Sequence, residues 1–325
     1  MNNFKKIGLT ALAASLVSTS VFAGEVSVAG SASMTVEGYS GTAQNAGKGF
    51  SMGNQLTFTG GGELDNGLQV DISFVLDQGD DSTTVGATAT TPINSTSPFD
   101  SHSVKISSDG LGSITMHGEG GSNSAAALDT TAAGDIWDTF DGTTSGTAVS
   151  ASTSGADLLV YTLPEMVDGL AVAASYSPQQ SGAASSTAYA LTYTGVDGLS
   201  VSYGKGDTET GVSTTEADQT VTKASYAWNS FTIAYSNNDY STAVASKDQE
   251  TTSYKLSYTV SDAISVSYGE ETIDEEGDAL DAEYEGFTAS YTSGGMTLTA
   301  KAQSSTDALH TTAVAEDEEY YGLSL

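Results

Sequence analysis

Residues 68–77 read Leu-Gln-Val-Asp-Ile-Ser-Phe-Val-Leu-Asp. Leu68, Val70, Ile72, Phe74 and Leu76 share one parity; Gln69, Asp71, Ser73 and Asp77 share the other. Successive side chains of an extended strand point to opposite faces, so this stretch is a strand with one apolar and one polar side. The same period of two recurs in Leu170/Val172/Ala174/Tyr176, Leu199/Val201/Tyr203, Phe231/Ile233/Tyr235, Tyr254/Leu256/Tyr258/Val260 and Ile264/Val266/Tyr268.

The strands are separated by regular punctuation. Tight-turn signals stand at Asp65-Asn66-Gly67, Asp109-Gly110, Val167-Asp168-Gly169, Val196-Asp197-Gly198, Trp228-Asn229-Ser230, Ser261-Asp262 and Ser293-Gly294-Gly295. Between them lie longer polar segments, near 41–49, 79–100, 119–156, 177–186, 204–218, 237–250, 269–282 and 303–316. The pattern predicts sixteen strands, at 25–40, 50–63, 67–78, 101–108, 112–119, 157–164, 168–177, 187–196, 198–204, 219–229, 230–237, 251–261, 262–269, 283–293, 295–303 and 317–325. Every second connection is then tight and those between are long. An even count brings the first and last strands to the same rim, where they can pair and close the sheet.

A dry two-sheet sandwich cannot absorb so many amphipathic faces into one core. A membrane barrel can, because its apolar side meets lipid and its polar side meets water. An extended β-solenoid would need a short fixed repeat, and these loops are too unequal. The expected fold is therefore all-β: a sixteen-stranded antiparallel transmembrane barrel, with short turns in the periplasm and long loops outside. Tyr193, Trp228, Phe231, Tyr258 and Tyr291 stand beside the turns, where an interfacial aromatic girdle belongs.

Composition agrees. Residues 1–23 carry Lys5 and Lys6, an apolar stretch from Ile7 to Val21, and the small-x-small site Val21-Phe22-Ala23. They read as a secretory signal, leaving 24–325 as the barrel. Cysteine is absent, so a closed hydrogen-bonded sheet must do what disulfides do in other exported proteins. The formal net charge is −32 and every basic residue is a lysine, which excludes a nucleic-acid partner.

Several segments carry a family likeness. The start Glu25-Val26-Ser27-Val28-Ala29-Gly30 is similar to the first strand of general bacterial porins, in particular the sixteen-stranded alphaproteobacterial type. The stretch Gly118–Asp141, with Ala125-Ala126-Ala127-Leu128-Asp129 and Gly134-Asp135-Ile136-Trp137-Asp138, resembles that family's third external loop. Asp157-Leu158-Leu159-Val160-Tyr161 and Leu170–Ser175 resemble the strand pair that follows it. The resemblance implies a homotrimer in outer-membrane lipid, passive diffusion of small hydrophilic solutes and ions, and a third loop folded inside the barrel as a constriction. Two features depart from the family: the chain ends in Leu325 rather than Phe, and it has no arginine to set against acids at the constriction.

The candidate constriction is the 119–156 connection, with Glu119, Asp129, Asp135, Asp138 and Asp141, and with Trp137 and Phe140 as anchors to the wall. Strand parity turns Asp71, Lys105, His117, Lys223, Lys255 and Lys301 toward the lumen. Lys105 and His117 flank the loop entry and are the best basic candidates for the constriction. A lysine facing lipid at mid-membrane costs about 2–4 kcal/mol, which is enough to explain the inward bias. Glu270, Glu271, Asp274, Glu275, Glu276 and Asp278 form a dense acidic run that could hold a divalent cation such as calcium, although no EF-hand spacing is present. His102, His117 and His310 have no metal-ligand spacing, and no catalytic constellation stands out, so an enzyme is not expected. The sequence leads to a cation-preferring diffusion pore. Its rivals are a substrate-specific channel, which needs aromatics inside the lumen, and a surface barrel with a filled lumen.

Overall fold

The structure, a computed structural model, describes residues 26–41, 47–77, 99–140, 157–178, 185–209, 216–244, 248–308, 310 and 317–325. The expected signal at 1–23 and Asp141 lie outside the described residues. Sixteen strands run in order: β1 Val26–Gly41, β2 Gly47–Glu63, β3 Gln69–Asp77, β4 Ser101–Ser108, β5 Gly112–Glu119, β6 Leu158–Thr162, β7 Leu170–Ser177 and β8 Ser185–Tyr193. The second half comprises β9 Leu199–Glu209, β10 Ala217–Trp228, β11 Phe231–Thr242, β12 Gln249–Ser261, β13 Ile264–Glu275, β14 Ala282–Ser293, β15 Met296–Thr306 and β16 Glu318–Ser324. Each pairs with its sequence neighbours and β1 pairs with β16, so the sheet is a closed antiparallel barrel.

Closure is complete at the seam. Thr35 stands opposite Ser324 and Gly41 opposite Glu318. Beyond the ladder, the Met34 N–H donates to the Leu325 carbonyl at 3.0 Å and the Leu325 N–H returns to Met34 at 2.9 Å. Every wall strand thus has a partner on both sides, which is what a sheet in hydrocarbon requires. Among the described residues no helix is long and apolar enough to cross a membrane; the strands are the elements of that length.

The tight turns fall where the punctuation puts them. Gly169 takes φ +74° and Gly198 takes φ +77°, the left-handed region that a side chain disfavours. On the opposite rim the strands run further than expected. β9 reaches residue 209, β11 residue 242, β13 residue 275 and β15 residue 306. Alternating Ser, Thr, Asp and Glu continue the ladder there, since a strand standing in water needs no apolar face.

The large hydrophobics face out and are exposed, with Phe50 at 85 % and Ile233 at 57 %. The buried side chains cluster elsewhere: Ile136 and Phe140 from the long third connection pack with Ile273, Ala282, Tyr284, Ala308 and Tyr320 from the inner wall. The one apolar core of the described residues therefore lies between a loop and the inside of the barrel.

Candidate functional site

One inward-facing row of wall residues runs in register across seven strands: Lys223 (β10), Ser236 (β11), Ser253 (β12), Glu271 (β13), Tyr284 (β14), Ser305 (β15) and Glu318 (β16). Residues 123–140 lie along this row and its neighbours. The Ser124 N–H donates to Ser175 Oγ on β7 at 2.8 Å. Lys223 Nζ donates to the Thr130 carbonyl. The Ala132 N–H reaches Ser236 Oγ at 2.7 Å and the Ala133 N–H reaches Ser253 Oγ at 2.9 Å. Lys255 Nζ donates to the Ala133 carbonyl at 3.2 Å. Further on, Thr139 Oγ1 donates to Gln303 Oε1 at 3.0 Å, Tyr39 Oη donates to the Thr139 carbonyl at 3.1 Å, and Phe140 stacks on Tyr284 with centroids 5.9 Å apart.

Glu271 is the centre of this docking. Its carboxylate is 1 % exposed and takes three hydrogen bonds from the loop: from the Thr131 hydroxyl, from the Ile136 N–H at 2.9 Å and from the Trp137 N–H at 3.0 Å. The same Thr131 hydroxyl accepts the Gly134 and Asp135 N–H groups at 3.1 and 2.8 Å. Asp135, at φ 55°, returns a carboxylate oxygen to the Thr131 N–H at 2.8 Å. The turn at 131–136 is thus shaped by its own side chains and then fastened to the wall by a charged acceptor.

The loop can lie this close because the wall beneath it has glycine. A Cβ on Gly269 would stand 2.6 Å from Ala133 Cβ. On Gly204 it would meet the Ala125 backbone at 3.1 Å, and on Gly286 it would meet Ile136 Cδ1 at 3.1 Å. All three are on the lumen side of their strands, by parity with Ser202, Glu271 and Tyr284.

The expected site residues divide by role. Asp138 is exposed on the loop, and Asp129 is half-buried beside it. Burial, with Asp135 as a second cause, pushes the Asp129 carboxyl up to about 6, against the opposing pull of Gln219 and Lys223. Asp135 points into its own loop. Glu119 and His117 are on the lumen side of β5, where the chain leaves the wall. Asp71 and Lys105 stand directly opposite each other on β3 and β4, exposed, in a concavity of about 540 Å³ shared with Ser73, Ser103 and Thr115. Lys301 is exposed on the lumen side of β15. Lys223 and Lys255 do face inward as parity requires, but they hold loop carbonyls rather than lining open wall.

The acidic run 270–278 does not converge. Its first six residues belong to β13, so Glu270 and Asp274 face outward while Glu271 and Glu275 face inward. Among the described residues no three His, Asp or Glu side chains are grouped as a metal site requires. Outside the barrel, Glu270 joins Asp207, Asp218, Asp239, Glu250, Glu283, Glu285 and Glu319 in a carboxylate collar above the apolar band of β9–β16. Lys205, outward on β9, is 4.0 Å from Asp218. Tyr39, Tyr240, Tyr284 and Tyr320 face inward; the other strand tyrosines face out. Three of these four inward tyrosines pack beneath or beside the loop, leaving no aromatic track along the lumen.

A closed barrel with an apolar exterior, a polar interior and a long connection laid along its inner wall is an outer-membrane channel. The chain belongs to the Gram-negative porin family, whose model matches residues 8–307. No curated protein matches it. Among solved structures, a quintuple mutant of Rhodopseudomonas blastica porin superposes with a TM-score of 0.63 at 14 % identity, covering 92 % of this chain and 99 % of that one. A tryptophan-containing mutant of the same porin gives 0.62 at 15 % identity with the same coverage. At such identity the likeness is one of fold. Porins are channels rather than enzymes, which accords with the absence of any catalytic constellation in the sequence.

Proposed function

We propose that this chain forms a cation-preferring diffusion pore for small hydrophilic solutes, constricted by the loop at 120–140. The observation that carries the reading is the unequal use of lumen charge. Lys223 and Lys255 hydrogen-bond to loop carbonyls, while Asp138 and Asp129 remain on the loop and the outer mouth is acidic. Lys105, facing Asp71 across the register, is a cation of the bare wall. A narrow path lined mainly by carboxylates concentrates cations and repels anions. The test is the reversal potential of the reconstituted protein in a potassium chloride gradient. Potassium should be preferred over chloride, more strongly at low salt where screening is weak; anion preference would sink the proposal.

Residues 1–23 act as the export signal, the tight turns face the periplasm, and the assembly is a homotrimer. The outward faces of β1–β5 support the trimer. They carry Met34, Val36, Phe50, Met52 and Ile114 with Gly30, Gly38 and Gly60, but no Tyr, Trp, Asp or Glu. Neither the tyrosines and tryptophan nor the acidic collar of β9–β16 extend across them. The wall is low at β4–β6, with 8, 8 and 5 residues, although β1 and β2 have 16 and 17. A face without the amphipathic Tyr and Trp rings of a lipid–water boundary suits contact with another copy.

A further inference from the structure

Near the tight-turn rim the lumen side of β1–β5 is bare, hollowed into the concavity of about 540 Å³ that holds Asp71 and Lys105. No described residue of the 120–140 loop lines it. Two register rows build it. One is Gly61 on β2, Asp71 on β3, Lys105 on β4 and Thr115 on β5. The other, one step further from that rim, is Ser27 on β1, Thr59 on β2, Ser73 on β3 and Ser103 on β4.

Opposite charges directly across a ladder ordinarily attract and pair. Asp71 and Lys105 are both described residues placed in that way, yet they do not form an ion pair. Asp71 leans in the other direction. A Cβ on Gly61 would stand 2.8 Å from Asp71 Oδ1, so the carboxylate hangs over β2, where a glycine leaves room for it. Glu63, two residues further along β2, has the same lumen parity and adds a second negative charge on that side. The bare wall is therefore polarised. It is negative over β2 and positive over β4, with a row of hydroxyls alongside.

We propose that this concavity binds small zwitterionic solutes, of which α-amino acids are the simplest, with the ammonium at Asp71 and the carboxylate at Lys105. Simple ions are poorly served here. An anion drawn to Lys105 meets Asp71 and Glu63, and a cation drawn to Asp71 meets Lys105. A dipolar solute finds an opposite charge at each end. The reach agrees. Two interstrand spacings separate β2 from β4, about 10 Å. An α-amino acid measures about 3.5 Å from its nitrogen to the far carboxylate oxygen by ordinary bond lengths. A charge-assisted hydrogen bond of about 2.8 Å at each end brings the span to about 9 Å. Ser73 and Ser103, on the adjacent row, have hydroxyls that donate to a carboxylate or accept from an ammonium. Both charges are exposed, so binding is weak, as a channel requires of a site that must release what it holds. The site rests on the lumen being open to water and is independent of the pore's ion preference.

The experiment is saturation-transfer NMR on the full protein in deuterated detergent, with L-alanine as the probe and its uncharged isomer lactamide as the comparison. Alanine should receive saturation in a saturable, concentration-dependent way, and lactamide should bind at least about fivefold more weakly. N-acetylalanine keeps only the negative charge and alanine methyl ester only the positive one. Each should bind about fivefold more weakly than alanine, the upper range for one exposed ion pair. Gly61→Ala is the sharpest variant. Its methyl group displaces the Asp71 carboxylate from β2 toward Lys105, so both charges remain but close on each other. Alanine binding should drop about fivefold there, and equally in Asp71→Asn. Heat-modifiable migration verifies that the variants are folded barrels. Equal binding of alanine and lactamide, or parental alanine binding in either variant, would overturn the proposal. So would alanine methyl ester bound as well as alanine, since the carboxylates alone would then be the site. None of these results bears on the reversal potential, so the zwitterion site and the cation preference fail separately.

Discussion

Replacing Glu271 with alanine tests whether the loop is a fixed throat or a loose flap. The change removes the acceptor for the Ile136 and Trp137 N–H groups and for the Thr131 hydroxyl. Leaving a buried donor without a partner costs about 1–3 kcal/mol, so two orphaned N–H groups cost about 2–6 kcal/mol. Removing a buried charge offsets part of this, which favours the lower end. About 2 kcal/mol shifts the balance between docked and undocked loop by about thirtyfold. The bonds at Ser124, Ala132, Ala133 and Thr139 remain, so the barrel folds and the detachment is confined to residues 134–138. Single-channel recordings should show noisy transitions among conductance levels and a weaker potassium preference, as Asp138 leaves its position. Glu271→Gln should be intermediate, because one amide oxygen still accepts while its NH2 faces a backbone donor. An alanine variant with parental step size, noise and reversal potential would refute the assignment of Glu271 as the fastener.

Other consequences are equally measurable. Asp129 is neutral below about 6 and charged above it, so cation preference should fall as pH drops through that value, and Asp129→Asn should remove that step from the pH profile of the reversal potential. Gly269→Val places a side chain where a Cβ alone already lies 2.6 Å from Ala133 Cβ; the loop must rise by about 1 Å to restore van der Waals contact at 3.5–4.0 Å, and conductance should decrease without loss of the folded band on gels. Lys105→Gln removes a cation from the bare wall and should raise the potassium-to-chloride permeability ratio. With one thiol per protomer, a cysteine replacing Met52 on β2 should cross-link to a dimer-sized species under a bifunctional maleimide, whereas one replacing Leu256 on β12 should not.

The barrel was legible because membrane burial imposes a period of two, and nothing in 68–77 or 254–260 competes with it. All sixteen strands fall where alternation and turn parity put them, with their tight-turn ends within a few residues. The upper ends of β9, β11, β13 and β15 were read short for a physical reason. Hydrophobic alternation marks where lipid is, not where hydrogen bonding ends, so Glu270–Glu275 passed for loop. Grouping those carboxylates as one cluster followed from the same error, since a strand sends neighbours to opposite faces. Parity correctly turned Lys223 and Lys255 inward, yet only a fold reveals that loop carbonyls lie over them. Glu271 as fastener was invisible, because its partners are 135 and 134 residues away. One clue was available: Gly204, Gly269 and Gly286 put glycine on the lumen parity of three strands, a place where water alone would not demand it.

The row from Lys223 to Glu318 has a mechanical meaning as well. A barrel wall resists stretching along its ladders but can be squeezed into an oval at little expense. A segment pinned to β7, β10, β11, β12, β13, β15 and β1 behaves as an internal hoop, and flattening the cross-section would pull on several pins together. Roundness of the wall and width of the opening are therefore one elastic property, and lateral pressure from the surrounding bilayer would be felt at the throat.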